Sequence, residues 1–201
     1  MRRLLSFAIL LLPCTALTEQ KITLSSPPPA HQVNSTNLSS SSSTIGRELE
    51  FIVHAFGGDD LQAYFGFVPE IVITDDALPN AFAKAPNRIE VSEGLVQVTQ
   101  SAHELAFVVA HELAHHMLEH SVAYPAFADA PLPQPTAMMT WEHAADGVAL
   151  KLLQGGGFDP YTAPELLDRL ANHYQRILPA SATPRHLRAR AAHVLSVLAN
   201  R

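Results

Sequence analysis

Cysteine is almost missing from this chain of 201 residues; Cys14 is the only one. No intramolecular disulfide can form, so the fold has to stand without one. Positive charge is scarce as well. Lys and Arg number 13 against 19 Asp and Glu, and the net charge is −6 with neutral His. With no basic run and no aromatic platform, nothing here suits nucleic acid as a partner. Long apolar runs are absent too. The longest, Leu4 to Leu12 broken only by Ser6, is too short to span a bilayer comfortably. A charged fraction of 16% beside a hydrophobic fraction of 47% suits one globular domain with a real core.

What is abundant is histidine, with 11 residues, which invites a search for a metal site. The N-terminus has the form of an export signal. Arg2 and Arg3 precede the apolar stretch, and the small residues Thr15 and Ala16 follow it. A signal peptide over residues 1–16 is expected, with a periplasmic or otherwise exported product. Leu11-Leu12-Pro13-Cys14 faintly resembles a lipoprotein box, although Pro13 stands where a small residue belongs; a lipid tether at Cys14 is the lesser expectation. Residues 17–45, with Pro27 to Pro29 and Ser39 to Ser43, read as a Ser/Pro-rich flexible tether. Asn34-Ser35-Thr36 is a glycosylation sequon, relevant only in a eukaryotic secretory pathway.

The folded domain is expected over residues 46–201. Leu49, Ile52, Val53 and Phe56 recur at helical spacing across Arg47 to Phe56, and Gly57-Gly58 breaks the pattern. "EIVITDD" (Glu70 to Asp76) and Arg88 to Val91 read as strands, with a turn near Pro86-Asn87, giving a small mixed sheet at most. From there the pattern is helical. Ser101 and Glu104 form a capping box ahead of a long helix. Four prolines between Pro125 and Pro135 mark a loop over Tyr124 to Thr136. A second long helix follows from about Ala137 to Leu153, stopped by Gly155-Gly156-Gly157. Asp159 with Pro160, and Thr183 with Pro184, are expected to open two further helices. The fold class is α+β, mainly helical.

The first long helix carries "VVAHELAHHMLEH", Val108 to His120. Residues four apart on a helix lie about 40° apart around its axis, so His111 and His115 can share one ion, with Glu112 at the edge of that face. His-Glu-x-x-His is the metallopeptidase signature, with two imidazoles on zinc and the Glu as general base. Catalytic zinc takes three protein ligands and keeps a fourth position for water. The class with a third His further along the same segment is excluded, because Leu118 and Ser121 stand at its Gly and His positions. "WEHAADGVAL" on the next helix supplies Glu142 as third ligand and, one turn on, Asp146 to accept a hydrogen bond from a ligating imidazole, His111. His143 is a weaker ligand candidate. His103, His116 and His193 are expected at the surface.

With these residues in place the chain resembles the zinc peptidases of the group containing HtpX and the CAAX prenyl endopeptidases, peptidase family M48. The blocks "PNAFA", "VSEGLV", "ELAFVVAHELAHHMLEH" and "EHAADGVALKLLQGGGFDP" follow in the family's order over residues 46–195. The resemblance implies a zincin-like (gluzincin) domain with a small sheet and a metal-binding helix pair, and one zinc per chain. It implies a soluble exported bacterial member, since the family's membrane helices are missing. By the same resemblance, Asn80, Ala81, Phe82 and Ala83 bind substrate along a sheet edge. Near the C-terminus "SATPRHLRAR" lacks the family's His before Pro, and His186, Arg188 and Arg190 are the nearby groups for holding an oxyanion, His186 and Arg190 foremost.

The reaction implied is hydrolysis of peptide bonds within unfolded or misfolded protein substrates. Envelope protein quality control is the expected setting, with an envelope assembly partner. Two other readings stand beside it: a zinc-stabilised binding or chaperone module without turnover, and a helical partner-binding protein without metal. The loop between the two ligand helices, Ser121 to Thr136, is expected to cover the zinc.

Overall fold

A computed structural model of the chain describes residues 39–66, 68–84, 87–120, 135–177 and 184–200. The expected signal peptide, Cys14, Asn34, Thr183 and loop residues 121–134 lie outside the described residues.

The first helix, α1 (Ser39–Ala55), starts inside the segment expected to be tether. Ile45 packs partly against the core one turn ahead of Leu49, so the apolar stripe reaches further back than Arg47. Once the buried turns have nucleated a helix, each added residue costs little, and Ser opposes it only weakly. Leu49, Ile52, Val53 and Phe56 are all buried, as their spacing predicts. A short α2 (Gly58–Phe65) follows.

Three strands come next: β1 (Glu70–Thr74), β2 (Ala81–Lys84) and β3 (Arg88–Ser92), in sheet order β1-β3-β2. β1 runs parallel to β3 and β2 antiparallel to it, which makes the sheet mixed. β2 was not expected as a strand from pattern alone; four residues, two of them Ala, carry little β signal. Ser92 secures the chain leading into it. Its hydroxyl donates to the Leu78 carbonyl (2.7 Å) and accepts from the Asn80 and Leu95 amides (2.8 and 3.0 Å), the last as N-cap of α3 (Glu93–Val98). Tyr174 Oη donates to the Pro79 carbonyl across 95 positions of sequence.

The long helix α4 (Ala102–Met117) is the centre of the molecule; every residue from Glu104 to His116 is buried. It touches α1, β2, β3 and the two helices that follow it. Ser101 Oγ accepts from the Glu104 amide as the capping box requires, while Glu104 reaches one residue further back, to the Gln100 amide (2.7 Å). Because no face of α4 meets bulk water, the whole helix reads apolar except where it carries chemistry.

Helix α5 (Pro135–Gly155) packs along α4. It begins earlier than expected: Pro135 and Thr136 are helical rather than loop, since Pro fits the first turn of a helix. It ends in a Schellman arrangement. Gly157 adopts φ +77°, and the amides of Gly157 and Phe158 donate to the carbonyls of Gln154 and Leu153. α6 (Thr162–Ile177) starts two residues after Pro160, so Asp159 is not its cap. Asp159 Oδ1 instead accepts from the Tyr161 amide in an Asx turn that leads into the helix. α7 (Arg185–Ala199) has Pro184 at its N-cap and lies against both α5 and α6.

The outcome is the mainly helical α+β fold expected, and among the described residues no helix is long and apolar enough to cross a membrane. At Gly94, α3 closely approaches the segment that follows β1. A Cβ on Gly94 would lie 2.2 Å from the Ala77 carbonyl oxygen, a backbone atom without freedom to retreat. Gly94→Ala is expected to destabilise the fold by about 1–3 kcal/mol or more, read from the midpoint of urea unfolding.

Candidate metal centre

Two helical turns face each other across the α4–α5 contact. His111 and His115 stand at i and i+4 on α4; Glu142 and Asp146 stand at i and i+4 on α5. His111 Nε2 and His115 Nε2 are 3.0 Å apart, His111 Nε2 and Glu142 Oε2 3.3 Å, and His115 Nε2 and Glu142 Oε1 3.6 Å. Ligands at 2.0–2.1 Å around a tetrahedral ion are separated by about 3.3 Å, the middle of that range. The triangle is therefore the size of one face of a zinc coordination sphere. Among the described residues, these three side chains form the group able to hold a metal ion.

Charge supports the fit. His111, Glu112, His115, Asp146 and Arg190 are fully buried and Glu142 nearly so. Three carboxylates face one guanidinium, which leaves two negative charges without a counterpart when the imidazoles are neutral. Buried charge of that size is tolerated only when paired, and one divalent cation balances it. Without a metal, burial and the Arg190 cation oppose a charge on His111, but hydrogen bonds to Asp146 and Glu142 outweigh them and push its pKa up to about 9. The His115 imidazole is held well below its usual range, first by burial and then by its histidine neighbours.

Asp146 lies beside His111, the imidazole it was expected to meet. Its Oδ1 lies 3.0 Å from His111 Nδ1, which leaves Nε2 for the metal. Arg190, arriving from α7, holds Asp146 with both arms: Nε to Oδ2 at 3.0 Å and Nη2 to Oδ1 at 2.5 Å. Its Nη1 stands 2.9 Å from Glu142 Oε2, yet neither atom completes an aligned hydrogen bond. Burial opposes the Asp146 charge, but Arg190 and His111 together hold its carboxyl well below the usual range. The other C-terminal candidates diverge. Arg188 reaches out to Asn172 (3.1 Å) on the surface. His186 has a buried Nε2 without a partner, and burial followed by the Arg190 charge lowers its pKa to about 4.

Glu112 is joined to the sheet. Its Oε2 accepts from the Ala83 amide of β2 at 2.8 Å, and its Oε1 is buried with no partner. Burial raises its pKa to about 7. The Ser92 amide donates to the Asn80 carbonyl, so by antiparallel alternation the backbone groups of Phe82 and Lys84 face β3 while those of Ala81 and Ala83 face away from it. Glu112 thus meets β2 on the side away from β3.

Residues 60–140 match the family model of Peptidase family M48. No match to a curated protein accompanies it. The match to Peptidase family M48 takes in the edge strand and all of α4, and it agrees with a metalloprotease of the hydrolase class. It stops two residues short of Glu142, so the α5 and α7 side chains of the centre stand on the geometry above.

Two expectations about histidines need correction or sorting. His116, expected at the surface, is buried against β3, with Nε2 3.3 Å from the Arg88 carbonyl, because α4 is covered on that side too. His143 lies outside the triangle and stacks on His193 (ring centroids 4.0 Å apart). Pattern reasoning missed the Ala83 amide, a backbone donor with no sequence signal. It also gave no role to His120, which meets His115 here.

Removing Arg190 leaves Asp146 and Glu142 buried without their cation. Arg190→Leu is expected to cost about 3–5 kcal/mol in metal-free protein. Added zinc should recover part of that loss in the same urea titration, since ligand bound only to the folded state stabilises it.

Proposed function

We propose that the chain is an exported, zinc-dependent endopeptidase of the gluzincin type, which hydrolyses peptide bonds in unfolded or misfolded envelope proteins. The observation that carries this reading is the triangle of His111, His115 and Glu142 with a free carboxylate oxygen, Glu112 Oε1, on the next residue of the same helix. A purely structural site has no use for that extra carboxylate.

When bound, zinc lowers the pKa of its water to near neutrality and polarises the scissile carbonyl. The remaining work falls to the chain's own side chains. Glu112 Oε1 takes the proton of the attacking water and returns it to the leaving amine, while the Ala83 amide keeps the carboxylate from rotating away. A nearby dication would favour the ionised form of Glu112 against the burial that raises its pKa, leaving the carboxylate able to accept a proton. Two groups without an aligned hydrogen bond are the candidates for the oxyanion: Arg190 Nη1, which pairs with Glu142 at 2.9 Å, and His186 Nε2 in the tautomer that protonates it.

An extended substrate would add to β2 as a further strand, using the outward backbone groups of Ala81 and the Ala83 carbonyl. The position of Glu112 on that same edge supports this docking, because the base then lies beside the peptide. The signal-like N-terminus supports an exported setting, and the apolar Leu4 to Leu12 stretch is its basis.

The decisive comparison is wild type against Glu112→Gln on an unfolded protein substrate, with bound metal measured in both. The variant is expected to keep its zinc and lose about 10²- to 10⁴-fold in turnover. Equal cleavage by the two proteins would discard the peptidase mechanism, and zinc without cleavage in the wild type would favour a binding or chaperone module.

A further inference from the structure

His120 belongs to none of the roles above, yet it is buried, and it reaches back to the metal-facing helix. Its Nδ1 lies 2.9 Å from His115 Nδ1. Two ring nitrogens at that distance need one proton between them, and the question is which ring carries it. His115 Nε2 faces His111 Nε2 and Glu142 Oε1, where a metal requires a lone pair. A neutral imidazole with a lone pair on Nε2 carries its proton on Nδ1. His115 Nδ1–H is then the donor and His120 Nδ1 the acceptor, with the His120 proton on Nε2.

The fold goes to some length to place that acceptor. α4 ends at Met117, and Glu119 takes φ 57°, the only described non-glycine residue with positive φ. That left-handed step, uncommon for a residue with a Cβ, turns the chain so that His120 returns over His115. The His120 ring then stacks on Trp141, with planes 16° apart and centroids 5.0 Å apart. Trp141 immediately precedes Glu142. A continuous path of contacts therefore runs from one ligand to another: His115, His120, Trp141, Glu142.

Resting on the metal reading of the centre, we propose that His120 is a positioning residue for it: its neutral imidazole fixes the tautomer and ring orientation of His115, and Trp141 holds it there from the helix that presents Glu142. The two ligating histidines are then supported unequally. His111 donates to a carboxylate, Asp146, and His115 to an uncharged ring. The His111 imidazole gains electron density from its partner, and the His115 imidazole gains mainly direction.

The test is zinc affinity of the full chain, by competition with a chelator, and the cobalt(II) absorption spectrum as a record of ligand geometry. His120→Phe keeps a ring to stack on Trp141 and removes the acceptor. His120→Asn places a carbonyl oxygen where Nδ1 stood, and His120→Gln places one further out, where Nε2 stood. Phe and Gln variants are expected to bind zinc about 10- to 100-fold more weakly, with an altered cobalt spectrum, and the Asn variant to lie near wild type. Circular dichroism identifies any variant that fails to fold, and the remaining members of the series still order the result. Wild type that binds zinc, with a folded Phe variant binding equally tightly, overturns this role alone. Equal weakening of Asn and Phe variants also overturns it, because packing rather than the acceptor would then matter. Wild type that takes up no zinc overturns the metal reading itself and this role with it.

Discussion

Everything in this domain is arranged around an excess of negative charge in a place without water. Glu112, Glu142 and Asp146 are buried together, opposed among the described residues by Arg190 and, when it is protonated, by His111. An uncompensated buried carboxylate costs several kcal/mol, and the cost rises when like charges share the site. The surrounding structure holds that arrangement, and a divalent cation would balance it. α4 is buried on every side, α5 runs beside it, and α7 delivers the one guanidinium that reaches both α5 carboxylates.

The helix pair alone accounts for the candidate metal centre but not for the proposed peptide chemistry. In that reading the sheet supplies the link. β3 is the central strand, bound to β1 on one side and β2 on the other, so among the described strands β2 is an edge, and its Ala83 amide is taken by Glu112. Glu112 is hydrogen-bonded to that edge, which ties the candidate base, the ligand helix and the candidate docking strand into one rigid unit. Ser92 and Tyr174 anchor the segment that leads into the strand, so its register relative to α4 is set from both sides.

Support for the two imidazoles comes from different parts of the chain. His111 is oriented by Asp146, which Arg190 holds by two parallel hydrogen bonds, a strong and directional pairing. His115 meets His120 across a turn that departs from ordinary helical backbone. A candidate ligand set held by such second contacts keeps a spacing close to what one ion would require.

Much of this was already readable along the chain. The i, i+4 pairs His111/His115 and Glu142/Asp146, the Ser101 cap, the glycine stop after α5 and the buried face of α1 are encoded by neighbours within a turn or two. Such signals survive without knowledge of the fold, because helical periodicity is a local property. What the chain could not disclose is which distant groups complete those pairs. Arg190 reads as one of several basic residues near the C-terminus, and only the packing of α7 against α5 selects it over Arg188. The Ala83 amide carries no side chain to be noticed. β2 is too short to announce itself, and the burial of His116 and His120 depends on β3 and Trp141, elements remote in sequence. Local spacing determined the ligand types; the convergence of α4, α5, α7 and the sheet edge was decided by tertiary packing, because a contact between residues tens of positions apart leaves no periodic trace in either segment.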